Sequence, residues 1–275
     1  MSIADAALIP LASHRDLTPA RLCGLGLLAL LALFALLGPL LVSVDPTEQD
    51  FAASLAPPSS DYLLGADHYG RSMLARLAYG ARLSFGLALL TVATAAVPGI
   101  LLGLLAAWRG GLVERALELF ATVLLALPGL LLVLILLAFS PGAFGPLYLG
   151  LALTLWIEFY RVTRATAATV LKQPHIEAAR LLGFRAPYLL RSLVLPELRP
   201  ILTTLAAFAM STAIIAISTL SAISVGLRPP TPELGAMIVE LLPYYAEAPL
   251  HVLMPGVLIF LLVLGLQLAT RSESR

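Results

Sequence analysis

The chain has 275 residues, of which 60% are hydrophobic and 12% charged, a balance far outside soluble usage. The formal net charge is +1, and the basic residues form no stripe interleaved with aromatics, which argues against nucleic acid as a partner. One cysteine, Cys23, excludes a disulfide framework and any CxxC metal or redox motif.

The apolar runs Leu22–Leu41, Leu87–Ala107, Leu117–Phe139 and Leu253–Leu268 approach or exceed the roughly 20 residues that cross about 30 Å of hydrocarbon as helix. They are continuous and Leu/Ala-rich, without the alternation of an outer-membrane barrel, so the spans should satisfy their own backbone as helices. The fold class is therefore an all-α integral membrane protein. Proline, glycine and charge boundaries predict six transmembrane helices near 22–44, 82–107, 116–139, 146–166, 199–226 and 250–270. The first reads as a retained anchor, because polar and mixed residues precede it and no small-residue cleavage site follows.

Three units follow. Residues 1–44 are a tail and first anchoring helix, 45–81 an outer loop, and 82–275 a core of five spans with an inner loop over 167–198. If the N-terminus is cytoplasmic, 13 of the 17 basic residues lie on that side, so the positive-inside rule puts both termini in the cytoplasm. The outer loop opens with Asp45-Pro46, holds Pro57-Pro58-Ser59-Ser60, and leads to a short helix from Arg71. The connection 227–249, with Pro229, Pro230, Pro232 and Pro243, should also face outward.

The inner segment from Arg161 to about Leu198 carries seven of the basic residues when Arg199 is counted at its edge. Pro174 suits a first helical position, Ile176, Ala179 and Leu182 share a face, and Gly183 suits a left-handed stop. A second short helix can start at Pro187 and end before Pro196. Neither piece is stable alone in water, so a lipid surface or a partner groove must cover their apolar faces. Ala178 and Ala179 leave a shallow face, with Glu177 and Arg180 as polar handles at its rim.

The spacing of Glu177-Ala178-Ala179, Gly183, Leu193 and Leu195-Pro196 is similar to the EAA signature of ABC-importer permeases, with Leu193 at the usual Ile position. Residues 64–85, LGADHYGRSMLARLAYGARLSF, resemble a segment of the dipeptide/oligopeptide/nickel permease branch, LGTDxxGRDxxSRxxxGxRxSL. Gly65, Asp67, Gly70 and Arg71 match it; Ala66, Ser72 and Ala75 depart. Residues 220–238 resemble LSFLGLGxxPPTPxWGxMI, departing at Ala222 through Val225 and at Leu234. LLALPGLLL resembles the family's LLAFPSLLL, but Thr122 stands where an Asp is usual and Glu118 lies one turn earlier. The resemblance spans about residues 45–270.

It implies half of a translocation pore in a bacterial inner membrane, surrounded by lipid and paired with a second homologous permease. It also implies one or two ABC ATPase subunits docked at 174–196, and an extracytoplasmic binding protein that delivers a peptide, nickel or a metallophore.

The chain has no energy source of its own. A Walker A loop needs Lys followed by Ser or Thr, and Lys172 is followed by Gln173, so ATP and magnesium belong on partner subunits. An ion-coupled secondary carrier is the alternative, and a non-transporting scaffold is a third reading. The first usually shows charges near the midplane; here Glu118 reads as interfacial and Glu158 as an ion-pair partner of Arg161. Ser211, Ser218 and Ser221 recur on one side of the fifth span. Small hydroxyl residues there can bond back to their own helix, or form a candidate translocation path. His14, His68, His175 and His251 show no ligand spacing, so no metal site is expected. No G-x-S-x-G elbow occurs and no catalytic residue is expected.

Overall fold

The computed structural model describes residues 18–42 and 44–270, which contain ten α-helices and no strand beyond an isolated bridge of Ala66 with Ser72. Part of the expected tail and residues 271–275 lie outside the described residues.

Helix α1, Pro19–Leu41, starts where the Thr18 side chain accepts a hydrogen bond from the Arg21 amide, with Pro19 in the first turn. Helix α2, Met73–Arg109, runs for 37 residues and is capped by Ser72. It absorbs both the short helix expected from Arg71 and the span expected at 82–107, so the outer segment closes at Ser72 rather than near 81. The sequence Gly80-Ala81-Arg82 suggests a break, but Gly80 packs against Leu234 and the ladder continues through it.

The span expected at 116–139 is two helices, α3 (Gly111–Leu125) and α4 (Gly129–Phe139), bent by 72°. Pro128 supplies no N–H and disfavours helix in the residue before it, which ends α3. Helix α5 covers Phe144–Val170, α6 Pro174–Leu181, and α7 is a single turn, Ala186–Tyr188. A π-helical stretch, Leu189–Val194, leads directly into α8, Leu195–Ala222. The expected stop before Pro196 does not occur. Pro196 cannot donate a backbone hydrogen bond, and the i→i+5 turn before it, closed by the Leu195 N–H on the Leu190 carbonyl, accommodates the ring. Helices α9 (Leu234–Leu241) and α10 (Pro249–Thr270) complete the chain.

Among the described residues, four helical stretches are long and apolar enough to cross a membrane, namely α1, α2, 186–222 and α10, and the bent pair α3–α4 would make a fifth. Helix α5 has 27 residues, but Glu158, Arg161 and Arg164 dilute its apolar surface.

Small residues let the backbones meet. A Cβ at Gly99 would lie 2.6 Å from the Trp156 carbonyl oxygen, and one at Gly103 would lie 2.7 Å from the Thr163 Cβ, so one face of α2 presses directly on α5. Gly24 and Gly38 similarly admit α10 and α2 to α1. Substituting Gly99 by Val should overpack this contact at a cost of about 1–3 kcal/mol. The expected result is a lower thermal midpoint of the detergent-solubilised protein for Gly99→Val than for Gly86→Val, where a Cβ meets nothing within 4 Å. Equal midpoints would show that the contact does not support the fold.

Candidate functional site

The segment before α2, residues 44–72, expected to lie outside, is organised by Asp67. Its Oδ1 accepts the backbone N–H groups of Tyr69 (2.8 Å) and Arg71 (2.9 Å), while its carbonyl accepts the N–H of Gly70 (2.9 Å). Gly70 has φ +74°, and a Cβ there would collide with the Asp50 carbonyl, so both backbone conformation and space require glycine. Gly65, at φ +80°, similarly lies against His251 and the Ala56 carbonyl. The four outer residues named from sequence, Gly65, Asp67, Gly70 and Arg71, thus form one structure.

Two residues not selected from sequence complete it. Asp67 Oδ2 accepts the Nε of Arg71 at 2.6 Å and an Nη of Arg76. Both arginines then reach Glu240 at the end of α9, at 2.9 and 2.8 Å. Asp67, Arg71 and Arg76 are 0%, 2% and 1% exposed. Such charges are tolerable only when each is paired and hydrogen-bonded. Burial opposes ionisation of Asp67, but the Arg71 backbone N–H and the charges of Arg76 and Arg71 outweigh it, holding the carboxyl below its ordinary range. His68 stacks on Tyr244 at 5.0 Å and contacts Tyr69, and its pKa is lowered mainly by burial, with Asp67 opposing.

Arg76 lies inside the quoted 64–85 stretch, and Glu240 is a lone carboxylate on an otherwise apolar helix. Those are the signals that could have marked them. Their pairing, across more than 160 positions, is visible only in three dimensions.

On the opposite face, α6 starts with Pro174 in its first turn and stops at Gly183, whose φ of +83° is the left-handed stop expected. Glu177, Ala178 and Gly183 are exposed; Ala179, Leu193 and Pro196 are half-buried. Leu181 and Leu182 are 85% and 79% exposed. Ile176 and Leu189 are fully buried, Arg180 lies over the Trp108 ring at 4.7 Å, and His175 meets Glu197 at 3.0 Å. The segment is therefore anchored on one side and presents bare leucines on the other.

The three serines have partners within the chain. Ser211 donates to the Ala207 carbonyl and accepts from Gln267 of α10, Ser218 donates to Glu233, and Ser221 accepts the Leu227 N–H. All three are buried, so the side expected to face a solute is occupied here by α9, α10 and the turn after α8. The expected Glu158–Arg161 pair is not formed. Arg161 instead reaches across to α3, to Glu118 at 2.9 Å and Thr122 at 3.1 Å, beside an Arg164–Glu114 pair. Interhelical geometry overrides the favourable i,i+3 spacing.

Residues 99–271 match the binding-protein-dependent transport system inner membrane component family, and 19–58 match the N-terminal transmembrane domain of oligopeptide transport permease C. The chain belongs to this permease family. It is 36% identical over 256 residues to the di/tripeptide transport system permease protein DppC of Pseudomonas aeruginosa, covering 89% of this chain and 83% of that one. It is 30% identical to the dipeptide transport system permease protein DppC of Haemophilus influenzae, over 90% and 86% of the two chains. The inward-facing MetNI methionine ABC transporter shares the fold, with a TM-score of 0.56 and 18% identity over 72% of this chain and 94% of that chain. The permease is accordingly a multi-pass inner-membrane subunit of an ABC importer.

Breaking a buried ion pair by removing one partner typically costs about 3–5 kcal/mol, and Asp67→Ala in this permease should lose stability in that range by chemical denaturation. The Asp67 carboxyl is depressed in the folded state, so it contributes stability above its unfolded pKa that is lost as pH falls through the folded value. Protease resistance of residues 44–72 should hold at pH 5 and fail only below the ordinary carboxylate range. Loss between pH 7 and 5 would contradict this assignment.

Proposed function

We propose that this chain forms half of the translocation path of an ATP-driven peptide importer. The observation that carries the reading is the exposed α6 segment, a helix ended by left-handed Gly183 with uncovered Leu181 and Leu182, in a chain 36% identical to a di/tripeptide permease. A surface this apolar beside Glu177 suits the cleft of an ATPase subunit better than water. In this reading 174–196 is the EAA coupling segment: Glu177 meets the cleft rim, Ala178 and Ala179 let it approach, Gly183 makes the turn, and Leu193 and Pro196 tie the segment to α8.

Six spans are proposed: α1, α2, the bent pair α3–α4, α5, the 186–222 stretch and α10. Both termini and the α6 segment lie in the cytoplasm, and the outer segment lies outside. ATP and magnesium bind one or two separate ATPase subunits, a second homologous permease closes the path, and an extracytoplasmic binding protein delivers the peptide. The relatives are named for dipeptides and tripeptides, and they give no support to nickel or a metallophore as the solute.

The reading predicts that Gly183→Arg and Glu177→Lys each abolish dipeptide uptake and uncouple ATP hydrolysis, while the protein remains in the membrane in normal amount. Uptake assays on the assembled transporter check this. Normal uptake by both variants would overturn the coupling assignment, and transport by the purified chain in vesicles driven by an ion gradient would favour a secondary carrier instead.

A further inference from the structure

Helix α9 carries a carboxylate at each end, and each end meets a different part of the molecule. At its start Glu233 is fully buried; its Oε2 accepts the Ala236 N–H at 2.9 Å. Its Oε1 accepts the hydroxyls of Ser218 in α8 at 3.0 Å and Ser84 in α2 at 3.5 Å. At its other end Glu240 accepts both arginines of the outer cluster.

The two anchors are about two turns apart on α9, about 10 Å along its axis, and their partners on α2, Ser84 and Arg76, are about 12 Å apart. The two contacts therefore run in opposite chain order on α9 and α2, while the body of α9 packs chiefly on α8 and α10. Its flanks are fixed as well: Gly235 lies so close on the Ser218 carbonyl that a Cβ has no room, and Leu234, Ala236, Met237 and Leu241 are buried. An eight-residue helix is too short to be rigid alone, so these end anchors and flank contacts must supply its stiffness.

We propose that α9 is a strut that carries displacement of the outer segment, residues 44–72, into α8. Glu240 receives it through Arg71 and Arg76, and Glu233 delivers it through Ser218. The proposal rests on the importer reading for its use, because there a binding protein presses on the outer segment while the path opens beside α8. Two ionic contacts to one Glu240 oxygen in a water-poor setting resist sliding, whereas a solvated loop would absorb the movement.

The test is a cycle of variants in the assembled transporter, read by amide hydrogen exchange. Glu240→Gln keeps the side-chain shape but weakens the outer anchor. It should speed exchange in 44–72 and also, by about threefold or more, in 214–222 of α8. Ser218→Ala removes the hydroxyl tie while keeping the backbone contact with Gly235, and in that background the rise that Glu240→Gln causes in 214–222 should be clearly smaller. A rise confined to 44–72, or an equal rise in both backgrounds, overturns the strut. Should Glu240→Gln fail to assemble, Arg71→Lys weakens the same anchor and carries the same expectations.

Uptake of dialanine presented by the binding protein should fall about tenfold in Glu240→Gln and no further in the double variant. Absence of dialanine uptake by the unmodified transporter would overturn the peptide reading and leave the exchange result standing. Normal uptake with exchange changes confined to 44–72 would overturn the strut alone.

Discussion

The direct backbone contact of α2 with α5 at Gly99 and Gly103 is the constraint on which the other elements depend. In lipid there is no hydrophobic drive for one apolar helix to leave the tails for another, so association depends on close packing and on polar contacts. Two glycines one turn apart supply the packing. Because α2 runs on for 37 residues, the same rod that meets α5 at one end also presents Arg76 and Ser84 at the other. The outer ionic cluster, α9 and the fifth helix are thereby referenced to a single rigid axis.

The few charges are arranged by environment. Asp67, Arg71, Arg76 and Glu240 form a closed set in which every buried charge has an opposite partner, a condition under which the low dielectric strengthens the network instead of expelling it. The α3–α5 ladder of Glu114, Glu118, Arg161 and Arg164 is more open to solvent and its individual pairs are correspondingly weaker. Helix α3 has just one fully buried residue, Ala121, so these pairs are prominent among the contacts that hold it beside α5. The two ends of the molecule thus differ in stiffness: a desolvated ionic cluster at the start of α2, and solvated pairs with a bare leucine surface at the α6 side.

The bounds of the α6 segment were legible in the amino-acid order because helix stops are local, but the expected common face of Ile176, Ala179 and Leu182 is split, with Ile176 buried and Leu182 exposed. Pro174 and Gly183 act within their own turn, and the structure has them where the pattern placed them. Pro196 misled because its effect depends on the turn before it; a π-helical stretch absorbed the missing hydrogen bond and the helix ran on. The spacing of Ser211, Ser218 and Ser221 suggests one side of α8, but which neighbours meet them cannot be read from periodicity. Glu158 and Arg161 have a spacing that permits pairing, yet Glu118 and Thr122 on another helix offered Arg161 a better set of acceptors.

The sequence by itself determined the membrane class, the helical character of the spans, the glycine stop at Gly183, and the family resemblance that marked Gly65 and Gly70. All of these depend on hydropathy summed over a window or on the conformational preference of one residue. Only the tertiary structure decided that the third apolar run bends by 72°, that α2 starts at Met73, and that Arg71 and Arg76 meet Glu240. These outcomes depend on contacts between residues far apart in the chain, and desolvation leaves a buried charge no stable position until its distant partner has arrived.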